Sequence, residues 1–162
     1  MELFWKAMAW VNSIFKRFFD WIRGNKPFPE TKVVYISGAT QDEMAIINEI
    51  ESKIPEVAKQ LEMDTYHREP HVQIIRNPDE IMFHNGMKWS DYTGVRMIDE
   101  RVEGEGLSGL WSSPYLYVSV IGDRNTMESF KELYAHERSH SFFEVGSGHH
   151  EMQEKVEALL KG

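Results

Sequence analysis

The stretch LYAHERSHSFF, residues 133–143, carries the pattern on which the fold and chemistry of this chain turn. His136 and His140 are four residues apart, and on a helix that spacing sets both imidazoles on one face, about one turn apart. Two imidazoles so placed can share one Zn²⁺. Glu137, rotated by roughly 100° from His136, falls outside the ligand stripe yet close enough to reach a water on the metal. The pattern H-E-x-x-H needs a helix that runs unbroken past both histidines. Neither Pro nor Gly interrupts residues 126–145. Asn125 or Thr126 supplies an N-cap, with Glu128 at the position of a capping-box acid, so a helix is predicted to run to about Phe143.

Downstream, Gly146 and Gly148 end that helix, and Glu151 to Lys161 returns as a short C-terminal one. A catalytic zinc takes three protein ligands and leaves a position open for water. The chain has no cysteine, so every metal ligand must be His, Asp or Glu. The candidates near the histidine pair are Glu144, His149, His150, Glu151 and Glu154. Gly146-Ser147-Gly148 lets the chain reverse and carry a histidine back towards His136 and His140. His149 shares a helical stripe with Met152 and Val156 and is the preferred third ligand. His150 is the alternative, and the acids rank below both.

Upstream, Val33 to Ile36 reads as a first strand ended by Ser37-Gly38. Ile47, Ile50, Ile54, Val57 and Leu61 recur at helical spacing, which predicts an amphipathic helix over 41–63, with Pro55 placed to bend or divide it. His71 to Ile75, Val95 to Ile98 and Tyr115 to Ile121 read as further strands. Gly104, Gly106 and Gly109 make the segment between the last two a flexible loop or an edge. The expected fold class is α+β: a mixed sheet of about four strands packed on the H-E-x-x-H helix, within a domain spanning 32–162.

The first 24 residues are of another kind. Phe4, Met8, Val11, Phe15, Phe18 and Ile22 follow helical steps, and Leu3, Ala7, Trp10, Ile14, Phe19 and Trp21 widen the apolar arc to roughly half the circumference. Glu2, Lys6, Ser13, Lys16, Arg17 and Asp20 share the opposite face. This predicts an N-terminal amphipathic helix over 1–24, closed by Gly24 and followed by a linker at 25–31 with Pro27 and Pro29. Its polar residues interrupt a signal-peptide core, and its charged face forbids a spanning helix. It suits a membrane interface or a partner protein, or packing on its own domain. The helix is cationic while the whole chain carries −8, so the remainder holds the entire negative excess. That balance argues against a nucleic-acid surface. A cysteine-free chain fits the cytoplasm, with a peripheral membrane position where the N-terminal helix binds lipid.

Taken together, H-E-x-x-H on a helix, a glycine-containing turn and Gly148-His149 before a terminal helix resemble a minimal zincin, a zinc metallopeptidase. The nearest likeness is to the SprT-like and WLM-type metallopeptidases, over roughly residues 95–162. The metzincin branch would need a glycine at position 143 and a histidine at 146, where this chain has Phe143 and Gly146. The resemblance implies a mixed sheet against the active-site helix, zinc held by His136, His140 and His149, and Glu137 as general base. Two departures stand beside it. A cysteine-bearing zinc ribbon and the DNA-linked role that goes with it do not carry over, and Gln153 and Glu154 stand where an aromatic is usual.

The expected function is hydrolysis of peptide bonds, with Glu137 taking a proton from a zinc-bound water and passing it to the leaving amine. A peptide or protein is then the substrate. The alternative is a non-catalytic zincin-like protein that binds a partner or a membrane through residues 1–23. A phosphodiester hydrolase fits less well, because Glu137 beside a ligand suits amide chemistry. Tyr115, Tyr117, Tyr134 and His84 are candidate oxyanion donors, each more commonly a packing residue. An extended peptide could add to a sheet edge at 106–113 or at the outer side of 115–121, with Trp111 lining a pocket or buried. His67 and His71 are separated by Pro70, which breaks the helix needed to pair them. Asp42-Glu43 and the acids Asp99, Glu100, Glu103 and Glu105 read as solvated faces.

Overall fold

The computed structural model of the chain describes residues 35–63, 69–98, 101–103, 108–122, 126–143 and 150–162. The segments expected to form the N-terminal amphipathic helix and its linker, with His67, Glu144 and His149, lie outside the described residues.

Four strands form one mixed sheet: β1 (Tyr35–Ser37), β2 (His71–Ile75), β5 (Gly109–Ser112) and β6 (Tyr115–Ser119). Their spatial order is β1-β2-β6-β5. The first three in that order are parallel, and β5 runs antiparallel to β6 through the two-residue turn Ser113-Pro114. The architecture is thus mixed α+β, as the sequence leads one to expect. From their second residue on, β2 and β6 are buried without alternation. That is the mark of inner strands covered on both faces.

One face is covered by helices α1 (Gln41–Gln60), α3 (Met127–Ser139) and α4 (Glu151–Lys161). Ile47, Ile50 and Ile54 of α1, Phe130 and Tyr134 of α3 and Val156 and Leu160 of α4 meet Val72, Ile74, Leu116 and Val118 of the sheet. The other face is covered by the excursion after β2. There Met82, Trp89 and Val95 pack on Ile75 and Tyr117, with Trp89 opening a one-turn helix α2 (Trp89–Thr93). None of the described helices is long and apolar enough to cross a membrane.

Several local readings change. Pro55 sits inside α1 without dividing it, because buried Ile50 and Ile54 before it and Val57 and Ala58 after it hold one continuous face in the core. Val95 to Ile98 yields β3 (Arg96–Ile98), but this strand pairs with β4 (Arg101–Glu103) as a separate ribbon and does not join the main sheet. The glycine-rich loop contains β5, at the sheet's edge. Residues 115–121 supply an inner strand, so the outer side expected there as an edge does not exist. The N-cap of α3 is Thr126, whose hydroxyl accepts from the Ser129 amide, which leaves Glu128 out of a capping box. The full capping box is on α1, between Thr40 and Glu43. Glu43 itself is buried and bonded to Arg76, not solvated.

Candidate metal centre

The H-E-x-x-H residues lie at the C-terminal end of α3, where the helix tightens into a 3-10 turn at His140–Phe142. The rings of His136 and His140 meet edge to face with centroids 5.2 Å apart, so the two imidazoles do share a face. Both are half-buried. The face opposite them is pinned. Arg138, fully buried, donates from Nε to Glu51 Oε1 at 2.7 Å and from Nη2 to Oε2 at 3.1 Å. Tyr134 donates to Glu51 Oε1 at 2.7 Å, and Arg138 also bonds the Ser141 hydroxyl. This buried fork fixes the rotation and height of α3 against α1, and with them the direction of the histidines.

Helix α4 runs back along the histidine face. Glu157 Oε2 lies 3.0 Å from His136 Nδ1. A carboxylate there holds the Nδ1–H tautomer and leaves Nε2 as the donor atom for a metal. Burial acts to raise the Glu157 carboxyl, but the bonds from His136 and Lys161 outweigh it and leave it below the ordinary value. One turn earlier, buried Gln153 places Nε2 3.1 Å from Ser139 Oγ and 3.3 Å from His140 Nε2. Among the described residues its Oε1 has no partner. Glu157 and Gln153 are sites that the sequence reading missed. They stand 21 and 13 residues from their histidines, and only the antiparallel packing of α4 on α3 joins them.

Glu137 points elsewhere, towards β5. It is 7% exposed. Burial pushes its carboxyl up to about 7, against the pull of His136 and of a hydrogen bond from the Trp111 amide, and with a smaller push from Glu157. The register explains the amide. Ser119 N donates to Ser108 O at 2.8 Å, and pairing continues as Leu110 with Tyr117 and Ser112 with Tyr115. The amides of Gly109 and Trp111 therefore face the outer edge, where Glu137 lies. Gly109 is a glycine for a reason of space. A Cβ there would sit 2.7 Å from Glu137 Cγ and 2.8 Å from Oε1.

The remaining candidates separate. His150 is the N-cap residue of α4, its ring edge-on to Phe143 at 4.4 Å. Of the two residues expected to share an inward stripe with His149, Val156 is buried and Met152 is exposed, and His149 itself lies outside the described residues. Glu151 and Glu154 are exposed. Tyr134 is committed to Glu51, while Tyr117 and His84 bond each other at 2.7 Å on the far face of the sheet. The rings of Tyr115 and His71 lie near them, tilted to each other at 5.4 Å. Trp111 contributes its amide, with its side chain packed against the helix-side core.

Among the described residues, no group of three or more His, Cys, Asp or Glu is gathered to hold a metal. The pair His136 and His140 suits two positions of a tetrahedral zinc: one face, one imidazole oriented by a carboxylate, and a buried acid alongside. No family model matches the chain, and no curated protein or solved structure matches it either.

Proposed function

We propose that this chain is a zinc-dependent metallopeptidase with a zincin-like arrangement, hydrolysing peptide bonds in a peptide or protein. The observation that carries the reading is the placement of Glu137. A carboxyl beside two helix-borne imidazoles is buried against an edge strand, with its proton affinity raised to about 7. A group of that affinity can accept and return a proton near neutral pH.

His136 and His140 would hold the zinc, with His149 as the third ligand and His150 as its substitute. Bound zinc would supply Lewis-acid polarisation and would lower the pKa of water to about 7. The chain's own residues do the rest. Glu157 keeps His136 in one tautomer, and the Arg138–Glu51 fork holds the helix in place. Glu137 receives a proton from the attacking water on a carboxylate oxygen and delivers it to the departing amine nitrogen. The outer edge of β5 lies beside that carboxylate, and an extended substrate backbone can pair with it by strand addition. The N-terminal amphipathic helix then serves to place the domain at a membrane or on a partner.

Elemental analysis and a broad peptide library test the proposal together. One zinc per chain is expected in the parent protein, and none in His136→Ala. Glu137→Gln should keep its zinc and lose about 10²- to 10⁴-fold in hydrolysis, the range for a general base. A zinc-loaded parent that cleaves nothing in the library would instead support the non-catalytic zincin-like reading. Absence of metal from both proteins would remove the proposal altogether.

A further inference from the structure

Helix α4 meets the two histidines of the pair in opposite ways. Gln153 and Glu157 stand one turn apart on it, and each reaches one imidazole. Glu157 takes the Nδ1 side of His136, which leaves Nε2 for a metal. Gln153 is set against Nε2 of His140 itself, at 3.3 Å, so an amide lies on the nitrogen that a metal needs.

The neighbouring hydrogen bonds fix which end of that amide faces inward. Ser139 Oγ donates its one proton to His136 O at 2.5 Å and can then only accept. It lies 3.1 Å from Gln153 Nε2, so the nitrogen end of the carboxamide must face it. An oxygen there would set two acceptors against each other. The same nitrogen has a second N–H for His140, and Nε2 of that ring accepts it with its lone pair. His140 is thereby held as the Nδ1–H tautomer, with its basic nitrogen bonded to Gln153.

This orientation is costly. Gln153 is 1% exposed, and its Oε1 finds no partner among the described residues. An apolar side chain of similar size would avoid burying an unbonded amide oxygen. Packing gives no reason for the amide, since Val156 and Leu160 already anchor α4 in the core. A buried polar group kept at such a cost beside a site calls for a role in that site.

We propose that Gln153 competes with zinc for the Nε2 lone pair of His140, and so holds the zinc affinity of the site below what its histidines alone would give. One lone pair cannot serve an N–H and a metal ion together. The inference rests on the metallopeptidase reading and adds its regulation: zinc enters only as the Gln153–His140 bond breaks, so hydrolysis follows the supply of free zinc.

Zinc titration against a chromophoric chelator, on full-length protein stripped of metal, tests this. Gln153→Leu removes the competing donor and fills its space. Gln153→Asn keeps an amide but draws it back by one methylene, and serves should the leucine variant fail to fold. Each variant should bind zinc about 2- to 10-fold more tightly than the parent, the worth of one hydrogen bond. NMR of the Gln153 side-chain amide in the parent gives a readout without substitution. One equivalent of zinc should shift the proton facing His140 more than the proton facing Ser139. Variants that bind zinc no more tightly than a zinc-binding parent would overturn the proposal and leave the metallopeptidase reading in place. So would an amide spectrum that saturating zinc does not change. Failure of the parent and both variants to bind zinc would remove that reading as well.

Discussion

Glu137 sits where a carboxylate is expensive to charge, and this has a thermodynamic consequence. Its carboxyl stands at about 7 in the folded chain against an ordinary 4.5. Between those values the folded protein keeps a proton that the unfolded chain has released. In metal-free protein, stability therefore falls as pH rises from about 4.5 to about 7 and is flat above, by at most about 3 kcal/mol. Glu137→Gln removes the titrating group. Urea unfolding in chelator should show the variant gaining stability at pH 8 and not at pH 4.5, and equal pH dependence in both proteins would refute the burial argument. Gly109 offers a second test. Its added Cβ would press on Cγ, Cδ and Oε1 of Glu137, a side chain that is itself buried and has little room to shift. Gly109→Ala should cost about 1–3 kcal/mol by overpacking and should depress peptide hydrolysis with zinc content unchanged.

Between elements, the decisive link is the buried fork from Arg138 to Glu51, which joins α3 to α1. Removing one partner leaves a charge in the core. Arg138→Met or Glu51→Met alone should cost about 3–5 kcal/mol, while the double variant should recover much of the loss, since an apolar pair pays no desolvation. A double-mutant cycle by denaturant unfolding measures this, and additive losses would show that the fork is not a unit. The same pair shows the limit of sequence reading. Arg138 and Ser139 fill the variable positions of H-E-x-x-H, so their residue types carry no signal in the motif. Glu51 lies on the flank of a predicted amphipathic helix, where an acid reads as solvent-facing. Only packing of α3 on α1 reveals its partner. The segment around β5 was legible as a loop or a sheet edge, but what its glycines are for was not, for a related reason. Three glycines read as flexibility, yet Gly109 is required by the side chain that presses on it.

Across the whole molecule, the proposed metal would be a stability ligand as well as a reagent. Ligands that bind only the folded state raise stability by mass action, about 2.7 kcal/mol at a hundredfold excess over the dissociation constant. Zinc should therefore raise the melting temperature of metal-free parent protein, and His136→Ala should abolish the shift. An unchanged melting temperature in the parent would mean that the histidine pair binds no zinc in the native state. The sheet β1-β2-β6-β5 also divides the molecule into two layers. One carries the helices and the histidines, and the other carries the excursion after β2.

By itself the sequence determined what depends on local period and spacing. The i, i+4 histidines, the helices of the main core and the runs that became β2 and β6 follow from side-chain geometry along one element. Tertiary structure decided what depends on elements meeting. Glu157 orients His136, Gln153 reaches His140, and the Trp111 amide reaches Glu137, because α4 and β5 pack against α3. Those contacts join residues far apart in the chain, and hydrophobic periodicity records only which face of an element is buried, not what it is buried against.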